Sequence, residues 1–347
     1  MPGDTVYLLP GQYFQQVETK RPGEPDAPIT ITGPPDAVVS GPKGEEYSNP
    51  FSIKHSYYRL TGITIDGFQD PSRPDDPMAY ARAGINVRPI KDEYVKGLVI
   101  KPSRIGNFRG NMISLHWVEN VEVGEFRVIG PSGLRYLLTD KVGHWGEIVY
   151  VGTSPLQELN EPGGLSEEFR AEDNSNNIHI HHIDNSSGHG HSEIVNTKLG
   201  TYDVLVEYCT DGGGSQNTES YHAGSIHLQS YGATVRWCEL RNGMGHGVKV
   251  GDGTAVKRQE EKPESELTEA ERRAGTDNEI YGNRVIGFDE YAFRFPRSDH
   301  GQTPDAQRLF CGNEFDGPTD GEPGKSCPDG VPGGDGIGHT GGNSPWG

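Results

Sequence analysis

Short runs of alternating apolar and polar residues, closed off by glycine, proline or asparagine, recur along the whole chain. Such runs predict half-buried strands. The first are Asp4–Leu9 before the Pro10-Gly11 turn, Ile29–Thr32, Val38–Val39 and Tyr58–Asp66. From there a repeat of irregular period appears, roughly 22 to 46 residues per unit. Each unit opens with one short strand: Ile85–Arg88, Ile113–His116, Val149–Val151, Val195–Lys198, Ile226–Gln229, Val248–Val250 and Phe293–Phe295. A second strand follows, as in Asn120–Val123, Ile178–Ile180, Val204–Val206, Thr234–Trp237, Glu279–Tyr281 and Leu309–Phe310. Cys209, Cys238, Asn283 and Asn313 each stand three residues after an apolar position in those second strands. Coils that stack with one turn position pointing inside would produce that ladder.

Two units frame the rest. Gly146–Gly152 (GEIVYVG) and Glu193–Thr201 (EIVNTKLGT) each hold a glycine-bounded strand. Side chains alternate faces along a strand, so Val149 and Val151 point in and Tyr150 points out. By the same rule Val195 and Thr197 point in, while Asn196 and Lys198 point out. Setting the first strands in register gives two outward rows. One reads Asn86, Ser114, Tyr150, Asn196, His227, Lys249, Arg294. The other reads Arg88, His116, Gly152, Lys198, Gln229, Gly251, Pro296.

Composition narrows the class. Only 32% of residues are hydrophobic, against 49 glycines and 25 prolines, which suits a thin, elongated core fed by many short strands. The chain is therefore read as all-β: a repeating stack of coils over 1–317, a charged insertion over 254–276, and a Gly/Pro/Asp-rich cap or tail over 318–347. Residues 257–273 show no apolar stripe and are expected to form a solvated loop or loose helix without function. No apolar run reaches the length of a membrane span. The net charge of −19, with no basic stripe of interleaved aromatics to offset it, argues against nucleic acid. Cys311 and Cys327 flank a loop where a staple would help, so a disulfide is expected there, and with it an extracytoplasmic home. Cys209 and Cys238 are read as a stacked thiol pair or a second bridge. The start of the chain shows no charged-then-apolar leader, so a secretion signal is expected to have been trimmed or left out.

The chain resembles the right-handed parallel β-helix proteins of the pectate-lyase-like superfamily, particularly secreted bacterial members. The resemblance rests on the opening Gly3–Tyr13 with Ala27–Ile31, on Gly146–Gly152, on Glu193–Thr201 with Lys198 at the family lysine, and on Cys311-Gly312-Asn313 with Cys327. It spans roughly Gly3 to Cys327 and implies the fold, whose lyases use lysine or arginine as base. Asn196 and Leu199 stand where aspartate and glutamate are usual, which thins the acidic cluster beside the lysine and argues against calcium there. Calcium is the one cofactor left open.

The outward rows suggest chemistry. Stacked strands lie about 4.8 Å apart, so groups two coils apart remain within about 10 Å. Arg88, His116, Tyr150, Lys198, His227, Lys249 and Arg294 would then form a basic strip, the minority sign gathered on one face. β-Elimination from a uronate needs a cation on the carboxylate, a base for the C5 proton and an acid for the leaving oxygen. The assignment is Lys198 as base, Arg88 or Lys249 on the carboxylate, and Tyr150 or His227 at the leaving group. His116, Asn196, Gln229, Arg294, Glu147 and Glu193 complete the substrate-binding set. The bland alternatives are a solvated lysine at 198, a packing tyrosine at 150, surface histidines at 116 and 227, and turn-bonding roles for Glu147 and Glu193.

His179, His181, His182, His189 and His191 match no standard zinc spacing, and a wet loop explains them. The acidic loops Asp66–Asp76 and Asp316–Asp335 show no calcium pattern. The expected function is thus a secreted, monomeric polysaccharide lyase acting on an acidic glycan. A non-catalytic glycan-binding β-helix, or a glycoside hydrolase using Glu147, Glu193 or Asp252, is the competing reading.

Overall fold

Each coil contributes short strands that pair in parallel with their equivalents in the neighbouring coils. The computed structural model describes residues 1–44, 49–139, 145–154, 165–166, 169, 172–213, 224–251, 260, 262–295, 302–329 and 331. Nine strands stack in chain order into one sheet: Val17–Glu18, Phe51–Ile53, Ile85–Val87, Ile113–Leu115, Val149–Val151, Val195–Thr197, Gly224–Leu228, His246–Val250 and Tyr291–Arg294. Two further columns of strands form a sheet of 18, joined because Val118–Val128 and Asn176–Asn185 run through the corner between them. This is a parallel β-helix, the stack of coils read from the strand pattern and the fold that the resemblance implies.

The predicted register of the first row holds from Asn86 through Ser114, Tyr150, Asn196, His227 and Lys249 to Arg294. The second row follows, since the amides of Arg88, His116, Gly152, Lys198, Gln229 and Gly251 each donate to the preceding coil. Pro296 lies outside the described residues.

Inside, one continuous core of Val, Ile, Leu and Phe runs along the coils, with Val149, Val151, Val195 and Ile226 fully buried. The corner between the two columns of the larger sheet is made by left-handed residues: Gly62, Glu125, His182, Tyr208, Trp237, Gly282 and Gly312. Glycine takes that conformation freely and the others at a steric cost, so the bend is enforced by stacking on neighbouring coils. Indeed the His182, Tyr208 and Trp237 rings lie on one another at 5.0 Å spacings. The next residue in each corner turns inward, giving the buried series Ile63, Phe126, Ile183, Cys209, Cys238, Asn283 and Asn313. The asparagines satisfy one another: Asn283 Nδ2 donates to Asn313 Oδ1 at 3.0 Å, and the Cys238 amide donates to Asn283 Oδ1 at 3.0 Å.

Cys209 and Cys238 are buried thiols rather than a bridge, while Cys311 and Cys327 are bonded. The charged insertion is not merely solvated. Thr268 and Glu271 cap a short helix at Glu269–Arg273 reciprocally, and Ala270 and Ala274, one turn apart, pack on Leu199. Alanine carries too little hydrophobicity to register as an apolar stripe, yet it is small enough to seat the helix flat. Residues 254–259 and 261 of the insertion, and 330 and 332–347 of the tail, lie outside the described residues. Beyond 317, Thr319 still bridges Phe293 in parallel. Among the described residues no helix is long and apolar enough to cross a membrane.

Candidate active site

The outer face of the nine-stranded sheet gathers polar groups that are mostly buried. Tyr150 is 5% exposed, Asn196 3%, His227 5% and Lys249 7%. Outward on the sheet therefore does not mean exposed to water, which corrects the picture of a surface strip. Lys198, half-buried, follows the Val195–Thr197 strand and lays its Nζ 4.7 Å from the centre of the Tyr150 ring. It has room because its neighbour is Gly152: a Cβ there would meet Lys198 Cβ at 3.1 Å and Thr201 Cγ2 at 2.5 Å. The left-handed φ of +88° at Gly152 asks for glycine as well.

Two glutamates enter the same face from the turns before their strands. Ile148 and Ile194 pack inward, so alternation breaks there, and Glu147 reaches the side of Asn196. Glu147 accepts from the Gly146 amide at 3.0 Å and from Asn196 Nδ2 at 3.4 Å. Asn196 Oδ1 accepts from Gln229 Nε2 at 3.4 Å. His227 Nε2 lies 3.0 Å from the Gly251 carbonyl, which fixes that nitrogen as the donor and leaves Nδ1 3.5 Å from Glu193 Oε1. Ser192 Oγ also donates to Glu193.

These contacts separate the two carboxyls. Burial pushes Glu147 up to about 7, with Lys198 pulling it down and Glu193 pushing it further up. Burial acts on Glu193 too, but His227, Lys198 and Ser192 outweigh it and hold it at about 2. Burial lowers His227 and brings Lys249 down to about 8. His227 makes the largest contribution to holding the charge on Glu193, and Lys198 and Ser192 add to it. His116 is driven to about 3 by burial and by Arg88. Its Nδ1 meets Thr153 Oγ1 at 2.9 Å, and Thr153 donates to the buried Asp173 at 2.7 Å.

The face is consequently mixed in charge, since Glu147 and Glu193 sit against the predicted cations. It brings together Tyr150, Lys198, Asn196, Gln229, His227, Lys249, Glu147 and Glu193. His116 adjoins them, its ring 5.6 Å from that of Tyr150, while Arg88 and Arg294 lie towards the ends. Arg88 stacks 5.3 Å over Trp117. Arg294 stacks on Tyr291 and pairs with Asp320 at 3.2 Å. Sequence reasoning missed Asn111, whose Oδ1 accepts from the Glu147 amide at 3.1 Å, and Asp173 behind His116. Asn111, Glu147 and Glu193 occupy equivalent places two residues before the strands, a third row that the register already contained. Asp173 carried no such signal, because it sits on a loop 56 residues from the Trp117 amide it accepts from.

Oxygen donors for a hard cation such as Ca2+ would come from Glu147, Glu193 and Asn196. Elsewhere the acidic loop is spoken for: Asp66 accepts from the Phe68 amide and Asn107, Asp70 from Ser72 and Arg73, and Asp76 caps a turn. Asp252 lies outside the described residues.

The whole chain is similar in fold to an alginate lyase from Paenibacillus sp. str. FPU-7, with a TM-score of 0.58 and 15% identity over 92% of this chain and 93% of that one. A mannuronic acid specific polysaccharide family 6 lyase from human gut microbiota aligns over 94% of this chain and 80% of its own at 16% identity, with a TM-score of 0.39. No family model matches the chain, and no curated protein does. The likeness at this identity is one of fold.

Proposed function

We propose that this protein is a polysaccharide lyase that cleaves a uronate-containing glycan by β-elimination on the outer face of the nine-stranded sheet. The observation that carries the reading is the Lys198 ammonium set over the Tyr150 ring at 4.7 Å, within a buried polar cluster. Burying two carboxyls, a histidine and a second lysine beside it opposes stability, and such concentrations mark functional sites. The fold shared with the Paenibacillus alginate lyase supports the reading, and alginate is the first substrate to try.

In this account Lys198 Nζ takes the C5 proton. The C–H electron pair becomes the C4–C5 double bond as the C4–O bond breaks, and the Tyr150 hydroxyl delivers a proton to the departing oxygen. The uronate carboxyl must be held while charge develops on it. Asn196, Gln229 and protonated Glu147 offer hydrogen-bond donors at that place, with Lys249 and Arg88 supplying positive charge to either side. His227 and Glu193 form the floor. Secretion fits the disulfide, and the glycan is the expected partner of a chain acting as a monomer.

Mass spectrometry of oligosaccharides released from alginate, pectate and glycosaminoglycans tests the reaction class. Elimination leaves a product lacking the elements of water at its new non-reducing end. Products that have gained water would replace the lyase with a hydrolase using Glu147 and Glu193, and retention without product would leave a glycan-binding protein.

A further inference from the structure

Away from that face, the larger sheet presents a second group of chemically capable side chains. His179 and His181 stand two apart on Asn176–Asn185 and so share its outer side. Glu122 is the direct neighbour of His179 on Val118–Val128, and Glu207 is the direct neighbour of His181 on Tyr202–Glu207. The histidines form part of a strand rather than a wet loop. Their rings stack at 4.4 Å. His181 Nε2 leans back to Glu122 Oε1 at 3.1 Å, and His179 Nε2 meets Glu207 Oε1 at 2.9 Å. Gly124 makes that lean feasible, because a Cβ there would stand 3.0 Å from His181 Cδ2 and 2.0 Å from its carbonyl oxygen.

We propose that Glu122, His179 and His181 bind one transition-metal dication of the Zn2+ class. One ligand atom from each already lies within 4.8 Å of the others. Tetrahedral zinc with bonds of about 2.0–2.2 Å would need roughly 3.4 Å between them, a contraction within reach of side-chain rotation. Two imidazoles and a carboxylate suit zinc, cobalt, nickel or copper rather than calcium. Glu207 completes the arrangement, as fourth ligand or as the hydrogen-bond partner that orients His179.

Lys101 competes, since its Nζ pairs with Glu122 at 2.7 Å, but Glu125 stands 2.8 Å away to take it. Ions have a route in, because an open groove of about 390 Å³ is lined by Tyr57, Asn120, Glu122, Asn177 and His179. The ligands come from the two coils that bracket Tyr150 in sequence, so the ion would tie together the ends of the segment carrying it. This site is independent of the lyase reading.

Calorimetric titration of Zn2+ into the untagged full chain is the test, with Co2+ visible absorption as a report on the ligands. The wild type should bind one ion per chain and melt higher in its presence. His179→Ala, His181→Ala and Glu122→Gln should each weaken binding at least about tenfold and abolish the thermal shift. His181 is buried and its variant could fail to fold, whereas His179 and Glu122 are each more than one-third exposed and their variants keep the test intact. Absence of saturable binding by the wild type, or undiminished binding by His179→Ala and Glu122→Gln, overturns the site.

Discussion

The two outer faces of this β-helix obey the same alternation yet treat charge in opposite ways. On the larger sheet, Lys96 pairs with Glu119, Lys101 with Glu122, and Arg236 with Glu207, each at 2.7 Å, with most of these groups in reach of water. On the nine-stranded sheet, Glu147, Glu193, His227 and Lys249 are all under a tenth exposed. Exposed pairs contribute little and tolerate loss. Buried ionisable groups oppose folding unless something else selects for them, and a reaction is the natural reason. The contrast supports the nine-stranded face as the proposed site better than the count of cations does.

Substitutions sharpen that contrast. Lys198→Ala should lower turnover on a uronate polymer by about 10³- to 10⁴-fold while leaving binding nearly intact, as loss of a general base does; steady-state kinetics and glycan retention check this. Tyr150→Phe should cost about 10²- to 10³-fold in kcat with little change in KM. Glu147→Gln alters the pH dependence of stability. In the wild type the folded carboxyl holds its proton up to about 7, against 4.5 for the free group, so folded protein binds more protons in that window. Stability should therefore fall as pH rises from 4.5 to about 7, by on the order of 3 kcal/mol, and the glutamine variant should lose that slope in urea unfolding. Lys96→Ala, on the other face, should change unfolding free energy by less than about 1 kcal/mol and activity not at all.

The coil architecture was legible because a β-helix repeats one simple rule. Apolar positions at Val149, Val151, Val195 and Ile226 point inward, and the register of the whole outer row follows from aligning them. The cysteine and asparagine ladder could be read for a similar reason, although its continuation through Ile63, Phe126 and Ile183 is invisible without the left-handed corners. Burial on the outer face was not legible. Nothing in the alternation of Tyr150, Asn196 and Lys249 says that neighbouring turns and loops cover them. Glu147 and Glu193 were legible as candidates before their strands, but not their approach to Asn196 and His227, since Ile148 and Ile194 break the period just where the glutamates turn outward. Long-range partners such as Asp173 depend on where a loop returns, which local pattern does not encode. The seat of the Glu269–Arg273 helix was hidden because its contact surface is two alanines.

The central claim is that Lys198 and Tyr150 carry out an elimination. The most direct measurement is the ultraviolet absorbance of the C4–C5 double bond, followed during incubation with alginate and other uronate polymers, for wild type and Lys198→Ala side by side. The account predicts a steady rise for the wild type on at least one polymer and a flat trace for the variant. A rise of equal rate in both, or no rise on any uronate polymer, would contradict it.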